Sequence, residues 1–246
     1  MKKLLTALLV VAMMLSLCSV AFAASFSDTT DLSQGTQASI AKLNALNIIN
    51  GYPDGTFKPG NNITRAEFAK IACIAGGMGT SAEMLQSSPS KFSDVAAGQW
   101  YTGYINLANS QGWVKGFPDG TFRPNNQITY AEVITVLVRL LGYNDNLPGP
   151  WPVDYIAKAG SLEITEDVSF DANAPATRGD VAVMADATLD ATVVKWDNDT
   201  EDFEEQLDGD DNEISLLDDK FDTAVNEDYF VEDIEIEDGV WSIKVD

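Results

Sequence analysis

Two short runs place an arginine where helix chemistry does not ask for one. Arg65 stands in Thr64-Arg65-Ala66-Glu67 and Arg178 in Thr177-Arg178-Gly179-Asp180. In both, a threonine and an acid three residues on have the spacing of a capping box, in which the hydroxyl accepts from the third helical amide and the acid reaches back. That box explains Thr64 and Glu67, and the second copy Thr129 and Glu132. It does not explain a cation at the first helical position, where the helix dipole mildly disfavours positive charge. A guanidinium is a planar fork that pairs with a carboxylate through two donors. The chemistry on offer is therefore anion recognition, with a surface salt bridge to Asp28 or Asp94 as the competing use. The second copy carries Tyr130 at this place, which donates one hydrogen bond but cannot fork a carboxylate. Catalysis has fewer openings. The 246-residue chain has no histidine, which removes Ser-His-Asp and Cys-His machinery and the usual zinc sets.

The elements that must hold these arginines are repeated. Gly51-Tyr52-Pro53-Asp54-Gly55-Thr56-Phe57-Lys58-Pro59 returns at the same spacing as Gly116-Phe117-Pro118-Asp119-Gly120-Thr121-Phe122-Arg123-Pro124, and Ile63-Thr64-Arg65-Ala66-Glu67 returns as Ile128-Thr129-Tyr130-Ala131-Glu132. A degraded third copy keeps Phe170 and Thr177 in the register of Phe57 and Thr64 but loses the Gly and Pro of the turn, and Gly112 aligns with Gly160. A fixed repeat of this kind marks one supersecondary unit used several times. In each unit a helix (Ile40, Leu43 and Leu46 in the first) ends at Asn50-Gly51 or its counterpart Gly116. A turn set by Pro53 and Gly55 then presents Phe57 inward. A second helix starts at the capped threonine, burying Phe68, Ile71 and Ala75, then Val133, Val136, Leu137 and Leu140, then Val181, Met184 and Ala185. Gly51, Gly55, Gly116 and Gly120 serve backbone geometry first. A unit of this size buries little apolar surface alone, so three are expected to close on one another. The fold class expected is mainly α: three helix-turn-helix repeats plus a small acidic C-terminal segment that is β-rich or partly disordered.

The ends and the charge complete the frame. Residues 1–23 read as a secretory signal, with Met1-Lys2-Lys3 before an apolar run and Ala21-Phe22-Ala23 at its end. Leu17 before Cys18 speaks against a lipid anchor, and no later run is long enough to insert in a membrane. Cys73 is then left alone, as a small buried hydrophobe. The divisions expected are repeats at 24–79, 92–143 and 151–191, linkers at 80–91 and 144–150, and an acidic region at 192–246. From Asp197 onward 21 acids face two bases, a net of −19 within the chain total of −23, so nucleic acid is excluded as a partner. Trp196 to Asp211 reads as too acidic to pack by itself. Asp233 to Glu237 alternates acid and isoleucine, with Val231 out of that register, and predicts a strand that turns at Asp238-Gly239 into Val240 to Val245. Asp197, Asp199 and Glu201, and again Asp208, Asp210 and Asn212, open like calcium loops but lack the glycine at position six. No cofactor is expected beyond calcium held diffusely by this tail.

Phe26-Ser27-Asp28, Phe92-Ser93-Asp94-Val95, Trp100, the two Pro-Asp-Gly-Thr-Phe turns and Ile63-Thr64-Arg65-Ala66-Glu67, in that order behind a signal, resemble S-layer homology repeats, over roughly residues 26–191. The resemblance implies a pseudo-threefold prism of three repeats with ligand grooves between neighbours, and non-catalytic anchoring to an anionic secondary cell-wall polymer attached to peptidoglycan, often through a pyruvylated N-acetylmannosamine. It implies a secreted protein held at the cell wall or in a surface layer, with other surface-layer subunits as further partners. Carried over residue by residue, it gives ligand-binding roles to Arg65 and Arg178, to Tyr130 in the arginine's place, to Trp100 as a sugar-facing aromatic, and to Asp28, Asp94, Gly51 and Gly116 around the turns. An accessory subunit that binds protein through the same grooves is the alternative. A wall-glycan hydrolase is the third, and too little chain remains outside the repeats to house it.

Overall fold

The computed structural model describes residues 26–221 and the backbone of strands 231–237 and 240–245; the expected signal and Cys18 lie outside the described residues. The chain is mainly helical. In order it forms α1 (Gln34–Ala45), α2 (Arg65–Ala75), α3 (Gly79–Met84), α4 (Thr102–Ser110), α5 (Tyr130–Leu140), α6 (Val153–Ser161), α7 (Arg178–Asp190), β1 (Val194–Asp197), β2 (Asp202–Glu205), α8 (Leu216–Phe221), β3 (Val231–Glu237) and β4 (Val240–Val245).

The helix starts follow from the caps. Thr64 and Thr129 each accept from the amide of the glutamate three residues on, and each glutamate returns to the threonine amide. Thr177 keeps only the first half of that box, accepting from the Asp180 amide, because an aspartate is one methylene short. The turns are equally local. Gly55 and Gly120 sit at φ 79° and 80°, and their amides donate to Tyr52 and Phe117 O at 3.0 Å. Helix α1 ends at Ala45 and the chain turns away at Asn47, φ 57°, and not at Asn50-Gly51, because Ile48 N already reaches back to Leu43 O at 2.9 Å.

Packing runs between units. Helix α2 packs on α4, α5 on α6, and α7 returns to pack on α1. Each second helix thus lies on the first helix of the following unit, and the last closes on the first. The segments before the second helices close as well. Ile63 N donates to Ala176 O at 3.0 Å, Ala176 N to Ile128 O at 2.9 Å, and Ile128 N to Ile63 O at 3.1 Å, a ring of three backbone hydrogen bonds with Ile63, Ile128 and Ala176 buried at its centre. The first free amides of each helix, which need outside partners, find them in a neighbouring unit: Arg65 and Ala66 N on Asn126 and Pro124 O, Tyr130 and Ala131 N on Ala174 and Ala172 O, Arg178 and Gly179 N on Asn61 and Pro59 O. Lys42 pins the α1–α7 closure, with Nζ 2.9 Å from Asp186 Oδ1 and 2.8 Å from Asp190 Oδ1.

The third unit corrects the sequence alignment. Glu163 at φ 61° follows α6 as Gly112 at φ 77° follows α4. The first helices are therefore related by 51 residues, pairing Gly112 with Glu163 and not with Gly160, while the second helices keep the offset of 48 from Thr129 to Thr177. The three missing residues come out of the degraded turn.

The acidic region is also not unfolded where it begins. Val194 pairs with Glu205 and Asp197 with Asp202 in a short hairpin that the sequence reading did not anticipate. Val194 N donates to Leu141 O at 2.7 Å, and Phe203 lies 4.8 Å from both Tyr143 and Trp196, ring to ring. Leu216 is fully buried, and Val193 and Val194 are nearly so. Strands β3 and β4 pair antiparallel with an irregularity between Val231 and Asp233, where the alternation expected from Asp233 begins.

Candidate functional site

Arg65 leaves the first turn of α2 and crosses into the second unit. Its Nε donates to Phe122 O at 2.8 Å, Nη1 pairs with Glu132 Oε1, and its guanidinium lies 4.7 Å from the Phe117 ring and 4.8 Å from that of Phe122. Arg123 covers the other contact of Phe117 at 3.9 Å. Arg178 repeats this from α7 onto the first unit. Nε donates to Phe57 O and Nη2 to Asn50 O, both at 3.0 Å, with the Tyr52 ring at 5.0 Å and Phe57 at 4.8 Å. Both arginines are buried, which a loosely placed surface cation would not be. Tyr130 completes the set. It stacks on Phe170 at 5.5 Å and its hydroxyl donates to Asp180; burial, helped by that aspartate, raises its pKa.

The remaining expected residues fall into place around the turns. Asp28 accepts from Phe57 N and Lys58 N, both at 2.8 Å, and Asp94 from Phe122 N at 2.8 Å and Arg123 N at 2.7 Å. Each carboxylate is thus committed to two amides, and the partner of Arg65 is Glu132, neither Asp28 nor Asp94. A Cβ on Gly51 would sit 2.1 Å from Phe26 Cε1, and one on Gly116 2.2 Å from Phe92 Cε1. These glycines make room for the opening phenylalanine of their unit.

Two grooves carry the arginines. The larger, about 430 Å³, is lined by Arg65, Trp113, Lys115, Glu132, Arg139, Asp145, Trp151, Asp154 and Tyr155, and so draws on all three units. Trp151 is half-exposed, yet its Nε1 donates to Thr135 Oγ1 at 2.9 Å, which fixes the ring against α5. Asp145 accepts from Arg139 Nη2 at 2.7 Å and Tyr155 Oη at 2.8 Å and pairs with Lys115. The Lys115 hydrogen bond, with those of Arg139 and Tyr155, holds its carboxyl far below the usual range despite burial. Burial pushes the Tyr155 hydroxyl up to about 12. The smaller groove, about 230 Å³, is lined by Asn50, Tyr52, Glu67, Lys70, Trp100 and Arg178. Trp100, half-exposed, therefore belongs with Arg178 and not with Arg65.

Trp151, Lys115, Arg139 and Asp154 were not picked out from sequence as ligand residues. Trp151 had a signal: it precedes α6 as Trp100 precedes α4. The carboxylates of the acidic region behave differently. Asp197 Oδ1 accepts from Asp199 and Thr200 N, and Asp208 Oδ1 from Asp210 and Asn212 N, and among the described residues no group of three metal-ligating side chains converges.

The S-layer homology domain matches residues 25–69 and 91–134, the first two units. The chain is 38% identical over 192 residues to the middle cell wall protein of Brevibacillus brevis, covering 77% of this chain and 18% of that one. It is 35% identical over 198 residues to a cell surface protein of Thermoanaerobacter kivui, 80% of this chain and 26% of that one. Over 95 residues it is 38% identical to the cellulosome-anchoring protein of Acetivibrio thermocellus, 39% of this chain and 21% of that one. The chain thus spans roughly a quarter or less of the length of these relatives, and among the described residues no helix is long and apolar enough to cross a membrane. With matched domains in both intact units, capped and turned alike, the chain carries two S-layer homology domains, at residues 25–69 and 91–134.

Proposed function

We propose that this protein is a non-catalytic anchor. Its three units form a pseudo-threefold prism whose inter-unit grooves bind an anionic secondary cell-wall polymer, with pyruvylated sugar as the preferred class, and hold the chain at the wall or in a surface layer. The observation that carries this reading is the construction of the two arginine grooves. Each combines a buried guanidinium from one unit, a turn and second helix from the next, and a half-exposed tryptophan from the one after. Aromatic faces cover the apolar side of a sugar ring, and fixed charged groups orient its polar side. The names of relatives, a cell wall protein and a cellulosome-anchoring protein, favour anchoring over catalysis and over a purely protein-binding accessory role.

The test is retention of the full chain on purified peptidoglycan sacculi before and after acid extraction of the attached polymer. Trp151→Ala is the first variant, because it opens a groove wall without touching a buried ion pair. Retention by the wild type, lost on extraction and weakened roughly tenfold or more in the variant, is the expected result. Equal retention on extracted sacculi refutes polymer binding.

A further inference from the structure

The two arginine grooves are built alike but charged differently. Arg65 meets Glu132, and Tyr130 meets Asp180, each at the third helical position of the neighbouring unit. At the equivalent place Arg178 meets only the backbone oxygens of Phe57 and Asn50, and among the described residues no carboxylate pairs with it. Its groove adds Lys70 and the single acid Glu67, which leaves one positive charge over. In the Arg65 groove the three cations Arg65, Lys115 and Arg139 face the three acids Glu132, Asp145 and Asp154, which leaves none.

Asp154 is the unusual member. It is only 9% exposed, lines the groove, and its Oδ1 accepts from the Tyr155 amide at 2.8 Å; among the described residues no cation pairs with it. A buried carboxylate without a cation is costly unless something else donates to it. The scaffold does not require an acid there, since the corresponding place in α4, by the offset of 51, is Gly103. Sugar hydroxyls are donors of the right kind, and the aromatic rings of Trp151 and Trp113 stand in the same groove.

Resting on the wall-glycan reading above, we infer that the grooves divide the recognition. The Arg65 groove takes an uncharged sugar residue, with Asp154 accepting its hydroxyls, and the negative charge of the glycan is bound in the Arg178 groove by Arg178 and Lys70 beside Trp100. A ligand carboxylate brought into the Arg65 groove would face Asp154 with no surplus cation to offset it.

The experiment is calorimetric titration of the full chain with three ligands: a methyl N-acetylhexosaminide, the same sugar bearing a pyruvate ketal, and the purified wall polymer. Asp154→Asn and Lys70→Glu are compared with wild type, with thermal melts as a check on folding. Asp154→Asn is expected to weaken the neutral sugar and the polymer roughly tenfold and to leave the charged sugar unchanged, whereas Lys70→Glu weakens the charged sugar and the polymer by a similar factor and spares the neutral one. If Asp154→Asn tightens the charged sugar, the Arg65 groove reads the charge and the inference is overturned. Full polymer binding by both variants overturns it too, while leaving anchoring intact. Failure of the wild type to bind the polymer at all overturns the anchoring reading with it.

Discussion

Replacing Arg65 with methionine and Glu132 with glutamine, singly and together, and repeating the cycle with Arg178 and Glu67, measures a difference that the repeat alone would not predict. The two pairs occupy the same places in successive interfaces. Arg65 and Glu132 are in contact, with side chains 8% and 25% exposed. Breaking a fully buried pair costs about 3–5 kcal/mol. The partial exposure of Glu132 and its remaining bond from Thr129 N reduce this, so Arg65→Met should cost about 2–3 kcal/mol, of which about 1 comes from the orphaned Phe122 carbonyl. The coupling between Arg65 and Glu132 should then be about 1–2 kcal/mol. Arg178→Met should cost about 2 kcal/mol through its two carbonyl partners, but with no ion pair its coupling to Glu67 should be below about 0.5 kcal/mol. Urea unfolding of the full chain followed by tryptophan fluorescence supplies both cycles, provided the m-values agree. A coupling at Arg178–Glu67 equal to that at Arg65–Glu132 would refute the claim that the pattern is broken at Arg178, and with it the charge difference between the grooves.

Other consequences are simpler to check. Burial depresses the Lys42 amine, but its hydrogen bonds to Asp190 and Asp186 outweigh burial and hold its pKa above the ordinary value. The stability it contributes is therefore complete below its unfolded pKa and lost as pH rises through the folded one, so thermal melts above about pH 10.5 should narrow the gap between wild type and Lys42→Met. The Asp119 carboxyl, held down to about 2 by Thr121 and Arg123, should titrate near that value by NMR and move up in Arg123→Ala. Gly103→Ala would place a Cβ 1.8 Å from Ala82 O, whereas Gly160→Ala meets open space; the first should cost about 1–3 kcal/mol or more and the second a few tenths at most. Leu216→Ala should cost about 2–5 kcal/mol, which a disordered acidic tail would not feel.

What could be read from the sequence was what the chain settles within a few residues. The Thr-x-x-Glu caps, the Pro-Asp-Gly turns and the apolar faces of the second helices depend on neighbours three to five positions away, and all appear where expected. The partners of the arginines were not legible, because Arg65 reaches Glu132 and Arg178 reaches Phe57 across interfaces that no local spacing encodes. Trp100 reads as a sugar-facing aromatic, but nothing local in the sequence pairs it with Arg178, whose groove it shares. The hairpin of β1 and β2 was hidden by its own composition, since its few apolar residues, Val194, Trp196 and Phe203, are separated by acids and gain their partners from Leu141 and Tyr143. The third unit was aligned on its second helix, and the shortened turn then misplaced its first.

The closure of α7 on α1 has a consequence in time as well as in space. Ile40 and Leu43 are fully covered in the finished molecule, but α1 finds its main partner only in the last helix of the third unit. A chain emerging from its N-terminus must carry that apolar face uncovered until residue 190 is free to turn back. A one-unit or two-unit piece lacks the partners that complete the ring of backbone bonds, since Ala176 belongs to the third unit. The pairing of α1 with α7 is thus the contact of longest sequence separation between helices, and the one that should set the pace of folding.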